Sequence, residues 1–250
     1  MSAKEWFRPT NTNTGPFDSS YIEEFELPLE RTKQEINSLS MIISSMPQKP
    51  RVLDIAGGFG RIGSELIKHR LAASVVDLDL NIQFLQIARY QVAVLVEGDM
   101  RYLGVTDKSF YLALLMFTSF GYFATLEEDL RVLREVKRVL HPGGTFLLDL
   151  PNYDRILTNF QPERELFLSD NSKIVYKQEL VDNLLIETRT KIFSDTNQVQ
   201  MLPIRLRVYN QESISNACLQ AGFSSVQAFD QDLQVYEPAT SSRLWLVCTT

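Results

Sequence analysis

Apolar and polar positions change period several times along the chain, and each change marks an element. Residues from about Asp18 to Met46 repeat at helical spacing, with Asp18 or Ser19 as the N-cap and Pro47 and Pro50 as the stop. A short apolar run, Val52 to Ile55, predicts a strand; a glycine cluster and a helical stretch from Arg61 to His69 follow. The alternation continues with a strand at Ser74 to Leu78, a helix at about Asn81 to Tyr90 and a strand at Val92 to Glu97. A further strand, Tyr111 to Phe117, precedes a helix at Glu127 to Leu140, the turn His141-Pro142-Gly143-Gly144 and a strand at Thr145 to Leu150.

Strands that alternate with helices in this way specify an α/β fold, a parallel sheet covered on both faces. From about Phe160 to Tyr209 the period becomes 2, which predicts antiparallel strands with turns at Asp170-Asn171 and Asp182-Asn183. Ile174, Tyr176, Leu180, Ile186 and Ile192 are expected on the buried face, and Lys177, Glu179, Glu187, Arg189 and Lys191 on a solvated one. A helix at about Gln211 to Gln220, ended by Gly222, leads to strands near Phe223 to Phe229 and Arg243 to Cys248. Three segments result: an N-terminal helical part (1–46), a core (47–159 and 207–250) and an antiparallel insertion (160–206).

Charge narrows the partners. Against 31 acidic residues stand 25 basic ones, a net charge of −6 in 250 residues, and no basic run compensates locally, so nucleic acid is not expected. Arg131, Arg134, Lys137 and Arg138 lie opposite Val132, Leu133, Val136 and Val139 on a helix and read as its solvated face. The two cysteines, Cys218 and Cys248, and two histidines, His69 and His141, have no metal-ligand spacing, so no metal site is expected and the thiols read as buried and reduced. No apolar stretch approaches the ~20 residues that cross a bilayer, and residues 1–17 lack the apolar segment of a secretory signal, so a soluble, cytoplasmic protein without membrane contact is expected.

The chemistry sits at the strand ends. The first strand ends in Asp54, and Ala56, Gly57, Gly58, Phe59 and Gly60 then separate it from its helix, where backbone N–H groups come close to a ligand. Gly58, Gly60 and Gly63 also satisfy G-x-G-x-x-G, with Asp79 nineteen residues after Gly60, so spacing alone admits a nicotinamide dinucleotide. Asp54 discriminates: a carboxylate there would repel a pyrophosphate and attract an ammonium, such as that of S-adenosylmethionine. Gly98, Asp99 and Met100 close the third strand with an acceptor for an adenine amino group, while Asp79 can accept from ribose hydroxyls in either case.

Together Val52-Leu53-Asp54-Ile55-Ala56-Gly57-Gly58-Phe59-Gly60, Asp79, Gly98-Asp99-Met100 and Leu140-His141-Pro142-Gly143-Gly144 resemble the class I S-adenosylmethionine-dependent methyltransferases. Phe117-Thr118-Ser119-Phe120-Gly121-Tyr122-Phe123 is similar to the segment after strand 4 in a subgroup acting largely on small molecules. The resemblance implies a Rossmann-like sheet of seven strands, mostly parallel with the last antiparallel, and S-adenosylmethionine as cofactor. It implies cofactor contacts from Tyr21, Asp54, Ala56, Gly57, Gly58, Gly60, Arg61, Asp79, Leu80, Gly98, Asp99, Met100, Phe117 and Thr118. Ala56 replaces the family's first glycine, and Tyr111 stands where the family often has Asp.

Methyl transfer from a sulfonium mainly requires positioning, so a catalytic triad is not needed. Thr118, Ser119, Tyr122 and Asn152, with Phe117 and Tyr153 beside them, are expected at the strand ends that border the reacting methyl, and Tyr21, which resembles the tyrosine that closes over the cofactor in this subgroup, is a further positioning candidate; His141 falls at the opposite edge of the sheet. The insertion is expected to serve as a substrate lid or a dimer surface. With no general base in view, an amine acceptor is slightly favoured over a hydroxyl. The other readings are an NAD(P)-dependent oxidoreductase and a methyltransferase-like binding protein without turnover.

Overall fold

The computed structural model describes residues 29–89, 92, 94–168, 171–193, 198–200 and 203–250. The expected helix start at Asp18 or Ser19, Tyr21, and Asp170 of the first expected turn therefore lie outside the described residues. In chain order the elements are α1 (Leu29–Ser44), β1 (Arg51–Ile55), α2 (Arg61–Lys68), β2 (Ser74–Asp79), α3 (Ile82–Ala88), β3 (Val94–Glu97) and β4 (Phe110–Leu115). They continue with α4 (Leu126–Val139), β5 (Leu140–Pro151), α5 (Tyr153–Thr158), β6 (Glu163–Phe167), β7 (Lys173–Val181), β8 (Leu184–Ile192), β9 (Gln198–Gln200) and β10 (Ile204–Arg207). The last are α6 (Gln211–Ala221), β11 (Ser225–Phe229) and β12 (Arg243–Thr249).

Seven strands form one sheet in the order β11-β12-β5-β4-β1-β2-β3. The pairs among β1 to β5 are parallel, whereas β12 runs antiparallel to both β5 and β11. Alternate strand residues feed two apolar layers. Leu53, Ile55, Leu78 and Leu115 pack with Leu133 and Val136 of α4 and Ile214 of α6, while Val52, Val75, Leu112 and Leu114 pack with Leu39 of α1 and Leu66 of α2. The chain reverses its winding between β1 and β4, and in open α/β sheets such a switch point opens a crevice at the carboxyl ends of the strands. Helix α4 begins there with a reciprocal cap, in which Thr125 accepts from the Glu128 backbone and Glu128 accepts from the Thr125 backbone.

Two expectations about local structure are corrected. The His141 to Gly144 segment does not precede the strand but lies within β5: Leu140 already pairs with Phe110, and the register shifts before Thr145 meets Leu112. Those four residues form an irregularity at the edge remote from the crevice, where His141 stacks on Tyr111 at 4.2 Å between ring centroids. Strand β4 also stops at Leu115, short of Phe117.

The second sheet has the order β10-β8-β7-β6, with β9 paired to β8. Its side-chain facing departs from the expected one. Asp182 (φ 55°) and Asn183 form a two-residue turn that pairs Val181 with Leu184, which places Tyr176 opposite Arg189 and Ile174 opposite Lys191. Glu187, Arg189 and Lys191 therefore share the buried face with Ile174 and Tyr176, and Ile186 and Ile192 share the other with Lys177 and Glu179. Charge pairing accompanies this burial: Arg189 donates to Glu187 at 2.8 Å, and the Arg164 guanidinium stacks over Tyr176 at 3.5 Å from the ring centre.

Cys218 and Cys248 are both buried and unbridged, and the hydrogen bond between their thiols together with burial pushes Cys248 well above the usual thiol range. Among the described residues, no helix is long and apolar enough to cross a membrane, and no three His, Cys, Asp or Glu are grouped to hold a metal ion.

Candidate active site

A cleft of about 1190 Å³, counting its open mouth, lies at the crevice and is lined by the β1–α2 loop, the ends of β2 and β3, and the segment after β4. It brings together Asp54, Ala56, Gly57, Gly58, Arg61, Asp79, Leu80, Gly98, Asp99, Met100, Phe117, Ser119 and Tyr122, which the sequence places up to 68 residues apart. Phe59, Phe84 and Phe123 add apolar wall. A carboxylate floor and an aromatic rim suit a ligand with both a cationic and a planar apolar part.

The loop is shaped by backbone conformation and by lack of room. Ala56 holds φ at 54°, the left-handed region, which costs an L residue about 1–2 kcal/mol and which a glycine would occupy freely. At Gly57 the limit is space: a Cβ would overlap an Asp77 carboxyl oxygen, come within 2.7 Å of the Asp77 carboxyl carbon and stand 3.0 Å from that of Asp54.

Below the loop lie three carboxyl groups. Asp79 fixes the loop, accepting from Gly58 N at 2.9 Å and Asn81 N at 2.7 Å; burial outweighs these bonds and raises its pKa to about 6. Asp54 is buried, and its Oδ2 has no hydrogen-bond partner. Burial lifts it to about 7 against the pull of the Arg61 guanidinium and the Gly63 N–H. Asp77 is also buried, with neither oxygen bonded, and burial plus the neighbouring Asp54 and Asp79 lift it to about 9.

Arg61 at the start of α2 reaches Glu35 and, at 3.1 Å, Thr32, both on α1, so its carboxylate partner is a side chain of this chain. Arg31 shares Glu35 at 3.1 Å, and its guanidinium lies 4.5 Å from the centre of the Phe117 ring. On the opposite wall both Asp99 oxygens are held by Arg101, the shortest contact 2.6 Å, and Arg101 also bonds Glu128 at 2.6 Å. An amino group recognised by Asp99 must therefore share an oxygen that a guanidinium already occupies.

The residues expected at the acceptor edge separate into two sets. Ser119 and Tyr122 line the cleft beside Phe117. Thr118 instead turns away, and its hydroxyl accepts from Arg243 at 2.7 Å. Asn152 is buried and fully engaged: it caps α5 by accepting from Asp154 N and Arg155 N, and it donates to the carbonyls of Pro238 and Ser241. Tyr153 opens α5 and does not line the cleft.

Sequence reasoning missed Asp77, Glu35, Asp149 and Arg243. Asp77 carried a signal, since it lies two residues before Asp79 on one strand and so on the same face. Asp149 is buried in β5 and accepts from the Phe117 backbone at 2.7 Å, but its partners are 32, 94 and 96 residues away, beyond any local pattern.

Residues 52–144 match a family model described as a methyltransferase domain. A curated relative from Bacillus subtilis (strain 168), "Putative methyltransferase YqeM", is 29% identical over 124 residues, 48% of this chain and 49% of the relative. The chain thus spans about half the length of the curated relative it matches. A solved S-adenosylmethionine-dependent methyltransferase from Clostridium acetobutylicum ATCC 824 superposes with a TM-score of 0.73 at 15% identity, over 92% of this chain and 96% of that one. CalS10, an amino pentose methyltransferase from Micromonospora echinaspora solved with S-adenosylmethionine bound, gives 0.67 at 19% identity, over 92% and 95%. At these identities the likeness is one of fold.

Proposed function

We propose that this chain is a class I S-adenosylmethionine-dependent methyltransferase that binds that cofactor in the cleft and passes its methyl group to a small-molecule acceptor, an amine before a hydroxyl. The observation that carries the reading is the Asp54 carboxyl, which lines the cleft floor beside the glycine loop. Such a group suits an ammonium and would repel the pyrophosphate of a dinucleotide.

The residues fit the cofactor part by part. Asp54 would hold the amino-acid end. Asp79, whose oxygens already face the Gly58 and Asn81 amides, would accept from the ribose hydroxyls. Leu80, Gly98, Met100 and Phe84 would enclose the adenine, with Asp99 sharing an oxygen toward its amino group. Once bound, the cofactor supplies an electrophilic methyl on a sulfonium sulfur. Phe117, Ser119 and Tyr122 would then orient the acceptor and exclude water. No histidine lines the cleft, and the carboxyl groups among its lining residues, those of Asp54, Asp79 and Asp99, are all assigned to the cofactor. An amine that reaches the site already neutral needs no base there, which is the ground for preferring it.

The second sheet is read as the acceptor-side cover. Its last strand is tied to the cleft wall: Arg207 N donates to the Gly121 carbonyl at 2.7 Å and Arg207 Nη2 to that of Ala124 at 3.1 Å, on either side of Tyr122 and Phe123. Calorimetry with S-adenosylmethionine, S-adenosylhomocysteine, NADH and NADPH tests the core of the reading. Binding of the first two alone supports it, and tight binding of a nicotinamide with none of the sulfur compounds would overturn it.

A further inference from the structure

Immediately after β4 the chain turns through two consecutive left-handed residues, Phe117 at φ 57° and Thr118 at φ 62°. Neither is a glycine, and neither has the short amide or carboxyl side chain that eases this conformation, so the corner opposes its own local preference. A strained corner at a ligand cleft persists only where its surroundings hold it.

The holding group is Asp149, completely buried in β5. Its Oδ2 accepts from Phe117 N at 2.7 Å and its backbone carbonyl accepts from Thr118 N at 3.2 Å, so both strained amides end on one residue. Its Oδ1 accepts from Arg243 Nε at 2.6 Å and Trp245 Nε1 at 3.0 Å. Arg243 then closes the loop, donating from Nη2 to Thr118 Oγ1 at 2.7 Å. The pairing of β12 with β5, which sets Trp245 opposite Asp149, brings these groups into register. The result is a Phe117 ring in the cleft wall, facing the Arg31 guanidinium at 4.5 Å and that of Arg61 at 5.8 Å, with Ser119 and Tyr122 following.

We propose that Asp149 and Arg243 are positioning residues that hold the Phe117–Thr118 corner in its left-handed conformation and thereby set the cleft wall against which cofactor and acceptor meet. Neither lines the cleft, and both act through Phe117. The proposal rests on the reading of the cleft as the cofactor site. A purely structural role for the same groups would stabilise the sheet without regard to the backbone conformation at 118, and that difference is measurable.

The decisive experiment is a rescue, with S-adenosylmethionine affinity measured by calorimetry and stability by thermal unfolding. R243M removes the clamp on Thr118 and is expected to weaken binding about tenfold. Glycine adopts the left-handed region without the clamp, so R243M/T118G is expected to return affinity to within about threefold of wild type while the lost thermal stability stays lost. D149N presents an amide to three donors where the carboxylate accepted all of them, and is expected to weaken binding more than R243M. Wild-type affinity in R243M, or no recovery in R243M/T118G, would overturn the proposal. If the wild type itself binds no S-adenosylmethionine, the cofactor reading fails, and crystal structures of wild type and R243M decide the brace alone. Loss of the left-handed corner in the variant supports it, and an unchanged corner refutes it.

Discussion

Asp54 and Asp77 stand side by side as register partners on the parallel strands β1 and β2, both buried, with three of their four carboxyl oxygens bonded to nothing. Burial is the main reason both are raised, Asp54 to about 7 and Asp77 to about 9, and the neighbouring Asp54 and Asp79 add to the shift of Asp77. The linkage has a definite sign. Each folded-state value lies above the ordinary 3.8, so the folded form holds these protons more tightly than the unfolded chain does. The stabilisation is complete below about pH 4 and is lost as pH rises through about 7 and then about 9. From this pair, the cofactor-free protein should unfold at a lower temperature at pH 8.5 than at pH 5.5. D77N, which cannot ionise, should flatten that slope. Thermal scans across the range check it, and an equal slope in D77N would place the titrating group elsewhere.

Adjacent substitutions in the glycine loop should act in opposite directions. G57A puts a methyl group where the Asp77 and Asp54 carboxyls already stand, and overpacking of this kind costs about 1–3 kcal/mol. Cofactor affinity should fall at least tenfold, because the loop must move. A56G instead relieves a left-handed alanine and should raise stability by about 0.5–1 kcal/mol after the entropy of the extra glycine is deducted. Denaturant midpoints and calorimetry on the two variants measure both effects.

How far the sequence could be read follows from where each element finds its partners. Buried parallel strands such as Val52 to Ile55 are apolar runs closed by glycine or carboxylate, so β1, β2 and the cleft that follows were legible together. The facing of β8 was not, because its alternation of Ile186 and Ile192 with Glu187, Arg189 and Lys191 looks amphipathic whichever side is buried. The two-residue turn at Asp182 and Asn183 decides the matter through register, since a shift of one residue exchanges the faces. Thr118 was read from strand direction as cleft lining. Its left-handed backbone reverses that orientation, and phenylalanine and threonine give no local warning of such a conformation.

Asp79 should be more than a ribose contact. Its oxygens hold Gly58 N at 2.9 Å and Asn81 N at 2.7 Å, so D79A frees the glycine loop and the start of α3 at once. Charge-assisted bonds of this kind contribute about 1.5–3 kcal/mol each, so affinity for S-adenosylhomocysteine should fall at least tenfold and stability should fall with it. D79N keeps the shape and one acceptor, and should fall between D79A and wild type in both measurements. Unchanged affinity in a folded D79A protein would move the ribose site.

Asn152 provides the opposite case, a residue at the cleft edge whose loss should leave the cleft alone. Its Oδ1 accepts from Asp154 N at 3.0 Å and Arg155 N at 3.2 Å, while Nδ2 donates to the Pro238 and Ser241 carbonyls at 2.9 and 2.7 Å. Every polar atom of the side chain is thus committed to joining the end of β5 to the segment before β12, and none is left to orient an acceptor. N152A removes a helix cap, worth about 0.5–2 kcal/mol, and strips the donor from two carbonyls. A total loss of about 2–4 kcal/mol is expected, with cofactor affinity within twofold of wild type. N152D separates the two functions of the side chain: the carboxylate still caps α5, but it sets negative charge against the two carbonyl oxygens. It should therefore be no more stable than N152A, although its cap is intact. A stable N152A protein that binds cofactor normally and loses turnover on its acceptor would reverse the assignment and return Asn152 to the reacting edge.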